Sequence, residues 1–427
     1  MNLSARDQRV IWHPYTQMQL ADPPIAMVRG EGALLYDDQG REYIDAISSW
    51  WVNIHGHAHP YLAQKVSEQL KKLEQVLFAG FTHEPAVELA ERLLGVLPPN
   101  QRRIFYSDNG STAVEVAIKM SIQYWYNKGI RKNKIIAFQH AYHGDTFGAM
   151  SVSARGAFTH PFKDLLFEVK TIPFPEKGKE QETITQLQTI IASGEVAAFI
   201  FEPLVLGAGG MLMYESEKLD EMIRICQVNS VLTIADEVMT GFGRTGKNFA
   251  CEYISGQPDI ICLSKGITGG LMPLGVTSCT ENIFNAFLST DKSKTFFHGH
   301  SYTANPLACV AAIASLELLL TPECRNAIHH ISQKHFQFID ENKDNESLKG
   351  LRSMGTILAM EIVTREPDSY FNSLRDRLYK FFLEKGVLLR PLGNTVYVMP
   401  PYCITDSELD RVYKAIHLAV TDIHQLK

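Results

Sequence analysis

Short runs of uninterrupted apolar residues, separated by stretches with helical periodicity, constrain this chain more than any other feature of it. The clearest are RIFYSD (103–108), KIIAFQ (134–139), VAAFIFEP (196–203), VLTIADEV (231–238) and DIICLSK (259–265). A strand with one wet face alternates polar and apolar residues, so a strand apolar throughout must be covered on both sides. A mostly parallel sheet between two layers of helices meets that demand. EKLDEMIRICQVNS (217–230) has the apolar spacing of a crossover helix between two such strands. The expected fold is therefore α/β, with a mostly parallel mixed sheet between helices in a large domain.

The flanks read differently. GALLYDDQGREYID (32–45) predicts a hairpin turning at Asp-Asp-Gln-Gly. Beyond residue 320, TPECRNAIHHISQKHFQFIDEN is a long amphipathic helix, followed by LRSMGTILAMEIV, another helix, GVLLRP and NTVYVMPP. That texture predicts a smaller α+β domain. The expected division is 1–55 as an N-terminal segment packing with the small domain, 56–320 as the large domain and 321–427 as the small one. A net charge of −6 gives no attraction to nucleic acid or anionic membranes. The seven cysteines are scattered without C-x-x-C spacing, which predicts reduced thiols. MNLSARDQRVIW does not read as a signal peptide, and the most apolar helical stretch, ACVAAIASLELLL, is too short for a membrane span and carries Glu317. A soluble, cytoplasmic protein is expected.

Three successive strands end in residues an apolar core would not choose: Glu202, Asp236 with Glu237, and Lys265. Any one of them alone is an ordinary solvated cap, but three at neighbouring carboxyl ends fall where open α/β sheets bind ligands. Upstream, RIFYSDNGSTAVEVAIKM reads as strand, tight turn and helix, with Gly110 and Ser111 at the helix start. Exposed N–H groups and the helix dipole would favour a phosphate there, although Ser111 or Thr112 could equally be a plain N-cap. AYHGDT places Tyr142 at the same edge. Together these supply what pyridoxal 5′-phosphate requires: a lysine for covalent attachment, an acid (Asp236) for the pyridine nitrogen, an anion site and an aromatic face. Val238, two residues beyond Asp236 on the same strand, is expected to pack on the ring.

Three other signals carry less. GFGRTG (241–246) fits the dinucleotide fingerprint, but the dozen residues before the strand at Asp259 leave no room for the helix it needs, so it is read as a glycine loop. His55, His57 and His59 alternate with no acidic or cysteine partner accompanying them, and a turn leading to a helix at Pro60 is preferred over a metal site. Trp50 and Trp51, if on a strand, point opposite ways, so at least one should line something other than its own core.

At IADEVMTGFGRTG and DIICLSKGITGGLMPLG the chain resembles the class III aminotransferases, enzymes of the fold-type I architecture, and the resemblance runs through nearly the whole sequence. WHPYTQM, SSWWVNIHGHAHP and GVLLRPLGNTVYVMPPY narrow it to the branch that aminates 8-amino-7-oxononanoate in biotin biosynthesis. The resemblance implies that Lys265 carries the cofactor and moves the proton, Asp236 pairs with the pyridinium, and Tyr142 stacks on the ring. It implies that Gly110 and Ser111 bind phosphate, helped by Ser301 of a partner subunit in a homodimer with shared sites. Tyr15, Trp50, Trp51, Tyr142, Gly299 and Tyr397 would line the substrate site with Lys265, and Arg390 would take the substrate carboxylate. The implied amino donor is S-adenosylmethionine, with lysine the alternative; no metal is implied. The segment His298-Gly299-His300-Ser301 departs from the family pattern at its last two positions, and Met239 and Leu206 stand where many relatives carry glutamine. A class III enzyme acting on ornithine or 4-aminobutyrate-like amines is the rival reading, less favoured by the tryptophan pair. An aminomutase and a non-catalytic regulator are more distant.

Overall fold

A computed structural model describes residues 2–156, 158–368 and 370–422 of the chain. At its centre is one seven-stranded sheet built from β1 (Gln101–Ser107), β2 (Lys134–Phe138), β3 (Val169–Ile172), β4 (Val196–Phe201), β5 (Leu232–Asp236), β6 (Ile260–Leu263) and β7 (Gly275–Thr280). Its spatial order is β1-β7-β6-β5-β4-β2-β3, and β7 is the antiparallel member between β1 and β6. Each of the five apolar runs lies in this sheet. Alternate residues enter two separate cores: Ile135, Ala137, Ala198 and Ile200 pack on one face beneath α1 (Gly110–Asn127). Ile136, Phe138, Phe199 and Phe201 pack on the other with Leu219 and Met222 of α3 (Ser216–Val228), which follows α2 (Glu180–Ile191). Burying each such side chain contributes roughly 1.5–3 kcal/mol, which is why these strands carry no polar alternation.

Three smaller sheets accompany the large one, the smallest pairing Val205–Leu206 with Leu212–Met213. The hairpin at residues 34–45 forms, Leu34–Asp37 pairing antiparallel with Glu42–Asp45, and Met27–Glu31 extends it. Its other edge takes Val387–Leu388 in parallel, with Ile44 opposite Val387 and Asp45 opposite Leu388. This pairing brings residues 48–51 beside residues 390–399, and Ser48 Oγ donates to the Met399 carbonyl at 2.9 Å. Strands Leu348–Met354, Ile357–Ile362 and Thr395–Val398 make an antiparallel sheet. The apolar helix α4 (Pro306–Leu319) is buried and meets α5 (Pro322–Asn342) at a 69° bend. No single helix among the described residues is long and apolar enough to cross a membrane.

Candidate active site

The polar strand ends converge on one cavity of about 550 Å³, a size that suits a cofactor with a small substrate. Because β4, β5 and β6 are adjacent, Glu202, Asp236 and Lys265 face the same space, and all three line it. Asp236 is buried, and its Oδ2 accepts the Nδ1–H of His143 at 2.7 Å. Asp236 Oδ1 accepts the Val238 N–H at 3.1 Å, because β5 ends at Asp236 and the chain turns there. Val238 is thus not on the strand, contrary to expectation, yet the turn still presents it to the cavity. Glu202 accepts from Tyr142 N–H at 3.0 Å and Gly207 N–H at 2.8 Å. Burial raises its carboxyl to about 7, with the Asp236 charge adding to the rise against His143. Glu237 points elsewhere: it binds Thr240 Oγ1, Ala250 N–H and Cys251 N–H, and so braces the glycine loop that GFGRTG forms.

Lys265 has a left-handed backbone, φ 49°, a strained conformation of the kind that gathers at functional sites. Burial lowers the pKa of its amine, and the Arg244 guanidinium lowers it further, while Asp236 and Glu202 oppose both. Its Nζ stands 4.7 Å from the centre of the Trp51 ring. Arg244 comes from the glycine loop and is itself buried, donating to the carbonyls of Pro400 at 2.8 Å and Trp51 at 3.3 Å.

At the opposite wall Asn109, not Ser111 or Thr112, caps α1. It accepts the Thr112 N–H at 3.0 Å, and the Thr112 hydroxyl accepts its N–H in return. Gly110 and Ser111 occupy the first turn, where N–H groups lack helical partners and the dipole is positive. A Cβ on Gly110 would lie 2.7 Å from Val238 Cγ1, and one on Gly144 would lie 2.1 Å from Ser111 Oγ. The cradle therefore closes only around glycine, which leaves its donors room for a compact anion. That anion site, the carboxylate of Asp236, the face of Tyr142 and the amine of Lys265 fit pyridoxal phosphate.

The outer wall is aromatic. Trp50 and Trp51 do not lie on a strand: Ser48, Ser49, Trp50 and Trp51 have φ of 50°, 56°, 111° and 74°, a left-handed turn that delivers both rings to the cavity. Trp51 Nε1 donates to Tyr397 Oη at 3.0 Å, and both residues are buried. Tyr15 packs edge-on to Trp50 at 5.5 Å and donates to Asp145 Oδ2 at 2.5 Å, with the Tyr142 hydroxyl 3.1 Å away. The Arg390 guanidinium lies 5.1 Å from the Trp50 ring centre, and among the described residues no carboxylate forms an ion pair with it.

Gly299 and Ser301 are exposed and do not line this cavity. The histidine motif has an acidic partner after all, since His57 Nε2 lies 2.9 Å from Asp45 Oδ2, while His55 Nε2 meets Ser315. No metal-binding cluster occurs among the described residues. His143, Asp145, Phe158, Met272 and Tyr370 also line the cavity, and residue type and spacing alone do not single them out. His143 and Asp145 sit in AYHGDT beside Tyr142, and their titratable side chains just past a buried strand are the one signal that marks them. Phe158 and Tyr370 come from irregular segments without a pattern.

Residues 15–420 match the class-III aminotransferase family. The adenosylmethionine-8-amino-7-oxononanoate aminotransferase of Synechococcus elongatus is 48% identical over 95% of this chain and 97% of its own length. That of Geobacter sulfurreducens is 41% identical over 95% and 94%. The crystal structure of the Methanocaldococcus jannaschii enzyme of the same name superposes with a TM-score of 0.93 at 35% identity, covering 98% of each chain. An (S)-enantioselective omega-transaminase from Thermomicrobium roseum also reaches 0.93, at 29% identity over 99% and 98%.

Proposed function

The chain belongs to the class-III aminotransferases, enzymes dependent on pyridoxal phosphate, and from that premise we propose that it transfers an amino group from S-adenosylmethionine to 8-amino-7-oxononanoate, giving 7,8-diaminononanoate for biotin biosynthesis. The observation that carries the reading is the placing of Lys265 between a buried carboxylate and an aromatic wall that ends in Arg390. Gly110 and Ser111 would hold the cofactor's phosphate, Tyr142 and Val238 its ring, and Asp236 its ring nitrogen. Bound there, pyridoxal phosphate would supply an aldehyde to take up the amino group and a ring to accept electrons.

The remaining work falls to the chain. With its pKa lowered by burial, Lys265 can take a proton from the substrate carbon and return it, general acid–base catalysis by a positioned amine. His143 donates to Asp236 and so keeps that carboxylate oriented toward the cavity where the ring nitrogen would lie. Tyr15, Trp50, Trp51 and Tyr397 exclude water along the aliphatic chain of the acceptor, and the planar guanidinium of Arg390 suits its terminal carboxylate. Gly299 and Ser301, exposed on their own chain, are assigned to the phosphate and substrate site of the partner in a homodimer.

Absorbance tests the proposal. Protein loaded with pyridoxal phosphate should lose its long-wavelength band on addition of S-adenosylmethionine and regain it with 8-amino-7-oxononanoate. A band indifferent to S-adenosylmethionine would make the donor another amine, lysine being the first to try. A band lost to the donor and not restored by the keto acid would overturn the acceptor.

A further inference from the structure

The left-handed turn that displays Trp50 and Trp51 needs an anchor, because four successive non-glycine residues with positive φ do not hold that shape unaided. The anchor is in the preceding strand. Asp45 is fully buried, its Oδ1 accepts the Ser49 N–H at 2.8 Å, and its Oδ2 accepts the Ser49 hydroxyl at 2.7 Å. Both bonds fall on a residue of the turn, one place before Trp50.

Asp45 is itself fixed by His57, whose Nε2 is 2.9 Å from Oδ2. The proton on that nitrogen follows from the neighbouring bonds. Asn53 Oδ1 accepts the Gly56 N–H at 2.8 Å, so its Nδ2 is the donor to His57 Nδ1 at 3.0 Å. Nδ1 thus accepts, and Nε2–H donates to Asp45. The His57 backbone is bridged to Gly32 in both directions, and a Cβ on Gly30 would lie 2.6 Å from His57 Cβ, so the backbone and the base of the side chain are held in place. His57, the middle member of the histidine motif, is thereby accounted for as a support for the turn.

We infer that Asp45, acting through Ser49 and backed by His57, is a positioning residue that sets the aromatic wall and with it the affinity for a long aliphatic acceptor. The inference rests on the cavity being the substrate pocket proposed above. It predicts a division of effects, because none of the groups assigned to the cofactor is hydrogen-bonded to Asp45 or Ser49.

The experiment compares holoenzymes in steady state with S-adenosylmethionine and 8-amino-7-oxononanoate. Asp45→Asn keeps the shape but turns an amide N–H₂ toward a donor. KM for the acceptor should rise about tenfold while kcat stays within about threefold and the cofactor absorbance is unchanged. Adding Ser49→Gly to Asp45→Asn should recover much of that loss, since glycine adopts the left-handed conformation without strain. An unchanged KM overturns the inference, and so does a fall in kcat, melting temperature and cofactor absorbance together without rescue. Should Asp45→Asn not fold, Ser49→Ala, which removes only the hydroxyl bond, is read in the same way. If the unaltered protein ignores these substrates, the functional reading fails by itself. The turn is then read by acrylamide quenching of tryptophan fluorescence, which Asp45→Asn should increase, and equal quenching overturns the inference.

Discussion

Glu202 offers a test of the electrostatics of the site that does not require turnover. Burial raises its carboxyl from an ordinary 4.5 to about 7, a preference for the protonated form worth roughly 3 kcal/mol. With the folded value above the unfolded one, the folded state binds the extra proton between those pH values. The stabilisation is complete below the unfolded value and is lost as pH rises through about 7. Cofactor-free protein should therefore become less stable from pH 5 to pH 8 by up to that amount, roughly 3 °C in melting temperature for a chain of this length.

Glu202→Gln removes the titration but leaves one carbonyl oxygen for the two N–H groups of Tyr142 and Gly207. The variant should start about 1–3 kcal/mol below the parent at pH 5, the cost of an unpaired buried donor. The gap should narrow or reverse by pH 8, as the parent loses its extra proton. Melting curves of both proteins across that range give the answer as a difference of differences, in which titrating groups that do not interact with Glu202 cancel. A gap constant with pH would refute the reasoning and mean that Glu202 is already ionised in the fold.

Three more outcomes are expected. Lys265→Ala should abolish turnover and the cofactor's long-wavelength band, while inorganic phosphate still protects the protein against thermal unfolding; near-normal turnover would remove Lys265 from its assigned role. Arg390→Met should raise KM for a carboxylate-bearing acceptor by about 30-fold, roughly 2 kcal/mol for a lost charge-assisted pair, and leave a chain-matched substrate without the carboxylate almost unaffected. Tyr397→Phe leaves the buried Trp51 indole N–H without its acceptor, and should cost about 1–3 kcal/mol in a denaturation titration, with no loss if that N–H finds another partner.

Residue types and periodicity carried the central sheet, because strands covered on both faces must be apolar at every position, as VAAFIF is. The edge strand Val169–Ile172 and the antiparallel Gly275–Thr280 escaped, the first partly exposed and the second made of small residues with no such run. The strand ends were legible for the same reason: against an apolar background, Glu202, Asp236 and Lys265 stand out. Val238 reaches the cavity by a different route from the one its spacing suggests, since the strand stops at the carboxylate that ties down its N–H. The tryptophan turn was not legible, because its left-handed backbone is imposed by bonds to Asp45 and Met399, not by propensity. Nor could spacing pair His57 with Asp45, which the hairpin brings together across twelve residues.

The pairing of Glu42–Asp45 with Val387–Leu388 also orders events during synthesis. By the time β7 has been made, a ribosome has supplied Gly110, Ser111, Tyr142, Asp236, Val238 and Lys265, and the sheet that arranges them can assemble. Trp50 and Trp51 were translated long before, yet the strand leading to them still lacks its neighbour, and Tyr397 and the Met399 carbonyl do not exist. The hairpin edge and the partners of the tryptophan turn can therefore meet only after both have been made. Under the proposed reading, a chain that stops before Val387 would lack the partners that shape its substrate wall.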